Sequence, residues 1–600
     1  MLSRLRDSFA HVPRTLGLVW RSSRTGTLAL LALTLVSALF PLAIAYVGKA
    51  IVDAVVARSA DRALRLVLLE LGLVAGQTAI TRALGLVRGL LGARLSIDIN
   101  VAILDKALTL PLAGFEDAEL YDKLTRARRE ASSRPLSVVT ETFQLVQNTI
   151  TLVGYAYLLY RWSGLALVAL VAAAIPATVV EMKFSAAAFR IRNWRSPETR
   201  RMSYLEYVLA NDDHAKEVKA FGLGPVLLDR YRALGEAFYA EDRKLAVRRA
   251  AWAFALSLLA TGAFYGAYVA MALAAARGAL SLGDMVLYVA AFRQGQQAFQ
   301  AILTAVGGMY EDNLYMSNLF AYLSFEVTPP QAAPALGAEA EAAREPRSAE
   351  AGIRFEGVGF RYPGQEKWAL SKIDLFVPAG ESLALVGHNG AGKTTFIKLL
   401  TRLYEPTEGR ILLDGRDLRD WEAEALRRRV GVVFQDFNQY QLKLRDNVGL
   451  GSVDHREDED RIKRAAARGG ADEIIEGVPG GLDAQLGRWF KEGVELSGGQ
   501  WQKIALSRAF MREEADILVL DEPTAALDAE AEHAVFERFR ALSEGRTSIL
   551  ISHRFPTVRM ADRIVVIEGG RLLEQGTHEE LCALGGRYAE LFTLQAKGYL

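Results

Sequence analysis

Apolar positions crowd into the first half of this 600-residue chain, and charged positions into the second. The first half is built of long apolar runs. Thr27 to Val47 reads TLALLALTLVSALFPLAIAYV, enough to cross the bilayer core as a helix, which takes about 20 residues at 1.5 Å rise each. Comparable runs begin near Leu64 and cover about 136–160, 164–184, 251–276 and 282–306. Any one of them, the third above all, also reads as a buried soluble helix. Six in series, joined by alternating short and long connectors, predict six membrane crossings. The first run is longer than the apolar part of a secretory signal and shows no clear cleavage site.

Basic residues orient the spans. Arg4, Arg6, Arg14, Arg21 and Arg24 precede the first run, and the long connectors after runs two and four are rich in arginine, Arg126 to Arg134 and Arg190 to Arg201 among them. Both features place the N-terminus and the long connectors on the cytoplasmic side. An even number of crossings then returns the second half to the cytoplasm. Before the first span, Leu2, Leu5, Phe9, Val12 and Leu16 recur at roughly helical spacing, as in a helix lying along the inner leaflet. The long connectors read as helical continuations of the spans, turning at about 111–122 and 211–224, far enough from the membrane to touch a cytoplasmic domain. The expected domains are an interfacial segment at 1–26, an all-α membrane domain at 27–325, a Pro- and Ala/Glu-rich linker at 326–350, and an α/β domain at 351–600.

Composition narrows the chemistry. There are 71 Lys+Arg against 70 Asp+Glu, so no excess positive field attracts polyanions, and no nucleic-acid partner is expected. The one cysteine, Cys582, excludes an intrachain disulfide, and the seven histidines show no metal-ligand spacing.

The second half carries phosphate chemistry. Gly387-His388-Asn389-Gly390-Ala391-Gly392-Lys393-Thr394 fits GxxxxGK[ST] between an apolar strand, SLALVG, and a helix. Gly387, Asn389, Gly390 and Gly392 form a tight loop whose backbone N–H groups face phosphates, the helix dipole favours the same charge, and Thr395 follows within the helix. Lys393 supplies a point charge to the phosphates, and the Thr394 hydroxyl suits Mg²⁺. Downstream, DILVLDE is a buried strand ending in two carboxylates. Asp521 suits the magnesium shell, and Glu522 suits a general base or orienter for the attacking water.

Between these two motifs stands Leu496-Ser497-Gly498-Gly499-Gln500, which resembles the signature of ATP-binding cassette (ABC) ATPases. The second half looks like one such cassette, and the whole chain resembles an ABC exporter half-transporter. That resemblance implies further roles. Tyr362, in FRYP, looks like the aromatic that stacks on adenine. Gln435, in VVFQD, looks like the glutamine linking Mg²⁺ and the water site to the membrane domain. Asp528, in AALD, looks like the aspartate at a dimer seam, and His553, in LISHR, like the switch histidine on the γ-phosphate. It also implies a partner, because in this family Ser497, Gly498, Gly499 and Gln500 would act on ATP held by another cassette. Every catalytic position matches the pattern, so a homodimer needs no further assumption, with a heterodimer as the alternative. One departure stands out: exporters often carry Gly-Glu-Arg-Gly before the signature, whereas this chain reads Phe490-Lys491-Glu492-Gly493.

The implied function is ATP-driven export of a hydrophobic, amphiphilic or peptide substrate by alternating access, in a membrane expected to be the bacterial inner membrane. The alternatives are an ATP-gated channel or regulatory subunit, and an importer on the exporter fold. Polar stripes mark a candidate pathway: Glu70, Gln77, Thr81 and Arg88; Glu141, Gln144, Asn148, Thr151 and Tyr155; Arg293, Gln297, Gln300 and Thr304. Each stripe shares one helical face, and each lines a cavity or bonds helix to helix. Arg293, near mid-span, either pairs with Glu70 or receives an anionic substrate group.

Overall fold

The computed structural model describes residues 11–117, 120, 124–125, 134–325, 351–522, 537, 540–541, 543, 545–552 and 555–596. The linker, most of the N-terminal segment, Asp528 and His553 lie outside the described residues. The chain divides into two compact units, Met1–Thr109 with Asp117–Glu326, and Leu110–Glu116 with Val327–Leu600.

The first unit is helical. Its described elements are α1 (Val12–Ser22), α2 (Arg24–Val56) and α3 (Ala60–Leu108), then α5 (Arg134–Trp162), α6 (Gly164–Trp194) and α7 (Ser196–Ala210), and finally α8 (Asp212–Ala220), α9 (Gly224–Ala276) and α10 (Leu282–Leu323). The label α4 belongs to Leu112–Glu116, in the second unit. Each of the six expected crossings falls within one long helix, and α3 and α9 run on well past the apolar stretch that marks them. The connector at 211–224 is more ordered than a turn. Asn211 caps α8 by accepting a hydrogen bond from the Asp213 N–H at 3.0 Å, with Asp212 and Asp213 in the first turn, where negative charge meets the positive end of the helix dipole.

Among the described residues α2, α3 and α9 are long and apolar enough to cross a membrane by length and composition alone. The polar faces of α5 and α10 dilute theirs. Leu64, Val67, Leu68 and Leu71 of α3 are exposed, which suits lipid contact. Packing within the unit relies on close fit rather than on removing apolar surface from water. Tyr155, Leu158 and Leu159 of α5 thus interlock with Leu170, Met271, Leu287, Ala291 and Phe292 from α6, α9 and α10. Ion pairs join distant helices, among them Lys49 of α2 with Asp284 of α10, and Arg134 of α5 with Asp312 of α10 at 2.8 Å.

The second unit holds two sheets. One is antiparallel, ordered β2-β1-β4-β5, from β1 (Gly352–Phe360), β2 (Leu370–Pro378), β4 (Glu408–Leu413) and β5 (Arg416–Asp417). The other is ordered β10-β9-β3-β8-β7-β6, from β3 (Ser382–Val386), β6 (Val430–Val433), β7 (Ile517–Asp521), β8 (Thr547–Ile551), β9 (Arg563–Glu568) and β10 (Arg571–Gly576). All pairs from β9 across to β6 are parallel, and β10 closes the edge antiparallel. Strands β7 and β8 are buried along their whole length, as expected of strands covered on both faces. Such sheets collect ligands at the carboxyl ends of their parallel strands. The phosphate loop follows β3, Gln435 follows β6, and Asp521 ends β7. Motifs far apart in sequence thereby converge.

Candidate nucleotide site

The phosphate loop is held by its glycines. Gly392, at φ +108°, N-caps α11 (Lys393–Leu400), and a Cβ there would lie 2.6 Å from Leu370 Cδ2 and 2.7 Å from the Ala369 carbonyl oxygen. A Cβ on Gly387 would lie 2.2 Å from the Ile567 carbonyl oxygen. His388, Asn389 and Gly390 are exposed at the crest, while the Lys393 side chain is buried beneath it. The ammonium donates to the Gly387 carbonyl at 2.7 Å and the His388 carbonyl at 3.1 Å. Burial lowers its pKa, against the opposing charges of Glu522 and Asp521. The cation is thus stored within the loop it serves, on acceptors that phosphate oxygens can replace.

Asp521 is 1% exposed, and among the described residues neither carboxylate oxygen has a hydrogen-bond partner. Burial pushes its pKa up to about 6; Thr394, close by but outside bonding geometry, and Lys393 oppose the rise, and the neighbouring Glu522 charge adds to it. An acceptor pair so buried and unsatisfied is costly by itself and fits a hard cation with oxygen ligands. Glu522 sits at φ +46°, a left-handed backbone that side-chain-bearing residues rarely adopt. Its carboxylate accepts a hydrogen bond from Gln435 Nε2 at 2.9 Å, and its N–H donates to Ile551 O at 3.0 Å.

Tyr362 is half-buried beside the loop. Its hydroxyl shares a 3.0 Å hydrogen bond with the Thr395 hydroxyl, and its ring meets Phe360 and Tyr404 edge-on, at 5.0 and 5.4 Å between centroids. Ser497 N-caps α14 (Gly498–Phe510), which comes after α12 (Leu444–Gly449) and α13 (Glu459–Gly469). Its Oγ accepts from the Gln500 N–H at 3.3 Å, and its own N–H donates to Gln500 Oε1 at 2.9 Å. This capping box occupies two backbone donors of the signature turn. Ser497 and Gly498 are exposed, with Gly499 half-buried. In the departing segment before the signature, Phe490, Lys491 and Glu492 are exposed, and Trp489 is 83% exposed.

Sequence reasoning overlooked one group beside this site. In the segment holding α4, Glu116 accepts hydrogen bonds from the Tyr404 hydroxyl and from Lys398 Nζ, the latter at 3.2 Å, while Leu112 and Ala113 pack on the apolar core. Burial, then the Glu116 carboxylate, raise the Tyr404 pKa well above that of free tyrosine. Lys398 lies 5.4 Å from the Tyr362 ring centroid. The turn at 111–122 supplied a hint of this, its partners none.

The polar stripes of the first unit divide. Thr151 donates to the Ala38 carbonyl at 3.3 Å, and Tyr155 is 1% exposed among apolar side chains; both belong to helix packing rather than to a cavity wall. Glu141 backs onto Gly308, where a Cβ would meet its carboxylate. On α10, Arg293, Gln297, Gln300 and Thr304 are all exposed.

Family models match two stretches: the ABC transporter transmembrane region over residues 26–299, and the ABC transporter domain over 370–525. The chain is 30% identical to the subtilin transport ATP-binding protein SpaT of Bacillus subtilis, over 95% of this chain and 92% of that one. It is 28% identical to the nisin transport ATP-binding protein NisT of Lactococcus lactis, over 97% and 95%. An ATP-dependent lipid A-core flippase of Thiobacillus denitrificans is 33% identical, over 97% and 98%. Among solved structures, a bacterial Atm1-family ABC exporter with ATP bound superposes with a TM-score of 0.77 at 25% identity, covering 96% of this chain and 98% of that one.

Proposed function

Because this chain belongs to the ABC transporter family, as an ATP-hydrolysing half-transporter of exporter type, we propose that two identical copies enclose two ATP molecules. Each lies between the phosphate loop of one copy and the signature turn of the other. The observation that carries this reading is the state of Ser497. It is exposed, and among the described residues its side chain and N–H bond only to Gln500, while its carbonyl accepts from the Trp501 N–H within the helix. A recognition turn satisfied within itself and facing outward suits a ligand presented by a second copy.

In this reading Tyr362 stacks on adenine, and the backbone of Gly387, Asn389, Gly390 and Gly392 cradles the phosphates. Lys393 exchanges its carbonyl acceptors for phosphate oxygens, and Thr395 holds Tyr362 in place. Thr394, Gln435 and Asp521 hold Mg²⁺, which neutralises charge on the phosphates; the unsatisfied Asp521 oxygens support that assignment. Glu522 takes the proton of the attacking water, with Gln435 fixing its carboxylate, His553 at the γ-phosphate and Asp528 at the seam. Ser497, Gly498, Gly499 and Gln500 complete the site from the other copy. ATP binding closes the nucleotide domains, the turns at 111–122 and 211–224 carry that motion to the helices, and the helices open outward.

The substrate proposed is an amphiphile, a peptide or a lipid, in keeping with relatives named for subtilin, nisin and lipid A-core. The membrane proposed is the bacterial inner membrane, with the nucleotide domain on the cytoplasmic side. The arginines preceding the first span support that orientation. Reconstitution into liposomes, scoring ATP-dependent uptake across a panel of peptides and lipids, tests the function. Absence of uptake for the whole panel, despite vigorous ATP turnover, would count against export. For the shared site, Ser497→Cys and Asn389→Cys chains mixed in a cysteine-free background should cross-link between copies when trapped with vanadate. Absence of a cross-link between copies in the trapped state would overturn it.

A further inference from the structure

Helix α10 is anchored at two levels by ion pairs, Asp284 with Lys49 and Asp312 with Arg134. At 1.5 Å per residue these levels lie about 42 Å apart along the axis, roughly the thickness of a bilayer with its headgroups. Arg293 lies nine positions beyond Asp284, about 14 Å in from that anchor, and therefore deep in the membrane layer. The orientation of the helix there is fixed. Leu287, Ala291, Phe292, Ala298 and Ala305 are buried on one side, and a Cβ on Gly295 would come within 3.3 Å of Leu170 of α6. Arg293, Gln297, Gln300 and Thr304 occupy the opposite face and are exposed.

Among the described residues the Arg293 side chain makes no ion pair or hydrogen bond. The other charged side chains of α10 with described partners are already committed: Asp284 to Lys49, and Asp312 to Arg134. A guanidinium at membrane depth is retained only where it meets water, an opposite charge or an acceptor. Its neighbours along the face are neutral amides and a hydroxyl, which donate and accept but do not neutralise it. Its planar fork matches carboxylate and phosphate oxygens.

We propose that Arg293 is a substrate-binding residue that receives an anionic group, carboxylate or phosphate, of an amphiphile whose remaining polar atoms bond to Gln297 and Gln300. This rests on the export reading and narrows it: the transported class bears at least one negative charge near its apolar part. Carboxylate and phosphate share this chemistry, and they point to different sources, an acidic peptide or a lipid headgroup.

The full-length protein in phosphatidylcholine nanodiscs tests this through ATP turnover stimulated by dodecyl phosphate, N-lauroyl glutamate, a neutral dodecyl glycoside and dodecyltrimethylammonium. The anionic probes should half-saturate at concentrations about tenfold below the neutral and cationic ones. Arg293→Gln should abolish that preference, and Arg293→Lys should keep most of it. A stronger response to dodecyl phosphate assigns a lipid source, and a stronger response to lauroyl glutamate a peptide source. Equal responses of wild type and Arg293→Gln to every probe overturn the proposal. So does a lower melting temperature in Arg293→Glu that Glu70→Arg restores, which makes Arg293 half of a structural ion pair. ATP-driven uptake that persists with no anion preference refutes the anion site alone, whereas loss of all uptake in wild type refutes export itself.

Discussion

Gln435 donates a 2.9 Å hydrogen bond to the carboxylate of Glu522, whose own backbone is left-handed at φ +46°. The two residues follow neighbouring parallel strands, β6 and β7, and each fixes the other. The strained backbone turns the Glu522 side chain away from the strand axis, and the glutamine amide captures it there. Strain of this kind costs on the order of 1–3 kcal/mol and persists where the surroundings over-determine it.

If Glu522 is the base, Glu522→Gln should lower steady-state ATP turnover by about 10²–10⁴-fold. ATP binding should survive, giving a dimer stable to size-exclusion chromatography with ATP present. Phosphate release at the wild-type rate would refute the assignment.

Gly392→Ala places a methyl group against Leu370 Cδ2 and the Ala369 carbonyl at a positive φ. The loop must shift, at a cost of about 1–3 kcal/mol. Weaker nucleotide binding and a lower denaturant midpoint for the nucleotide domain are expected. Nucleotide affinity within twofold of wild type would show that the loop tolerates the change.

Glu116→Ala removes the acceptor shared by Tyr404 and Lys398. Unstimulated ATP turnover should stay within about twofold, because hydrogen bonds of this kind contribute about 1–3 kcal/mol and these lie outside the phosphate loop. Stimulation by transported substrate should fall, since the segment that carries α4 loses its polar hold. Full stimulation in the variant would argue that Leu112 and Ala113 suffice.

His578 shares a 2.8 Å hydrogen bond with the buried Tyr588 hydroxyl, and burial, then the charge of Arg559, lower its pKa. A histidine held neutral in the fold contributes stability that is fully present above the unfolded value near 6.5. That stability is lost as pH falls through 6.5 toward the lower folded value, because the unfolded chain takes up the proton first. The melting temperature of the nucleotide domain should therefore drop between pH 7.5 and 5.5. His578→Asn should shrink that drop, and an unchanged drop would place the sensitivity elsewhere.

The six long helices were legible because a bilayer demands uninterrupted apolar length, which a linear pattern records. The nucleotide motifs were legible for a related reason. A phosphate loop is made of consecutive backbone N–H groups, so Gly387 to Thr394 must be neighbours in sequence. The stripe on α5 was read less well. Thr151 and Tyr155 share a helical face with Gln144, yet periodicity does not say whether that face meets a cavity or another helix, and packing turns it partly toward Ala38 and Leu170.

The order of chemistry along the chain was therefore a property of the sequence: apolar spans, phosphate loop, signature, paired carboxylates. Each depends on residues within one turn or one strand of each other, where local geometry settles the outcome. The tertiary structure alone decided that Glu116 meets Tyr404, 288 positions away, that Gln435 holds Glu522, and that Arg293 faces away from its own helix bundle. Those relations are set by which surfaces pack together and which are left open, a choice made by the whole fold at once.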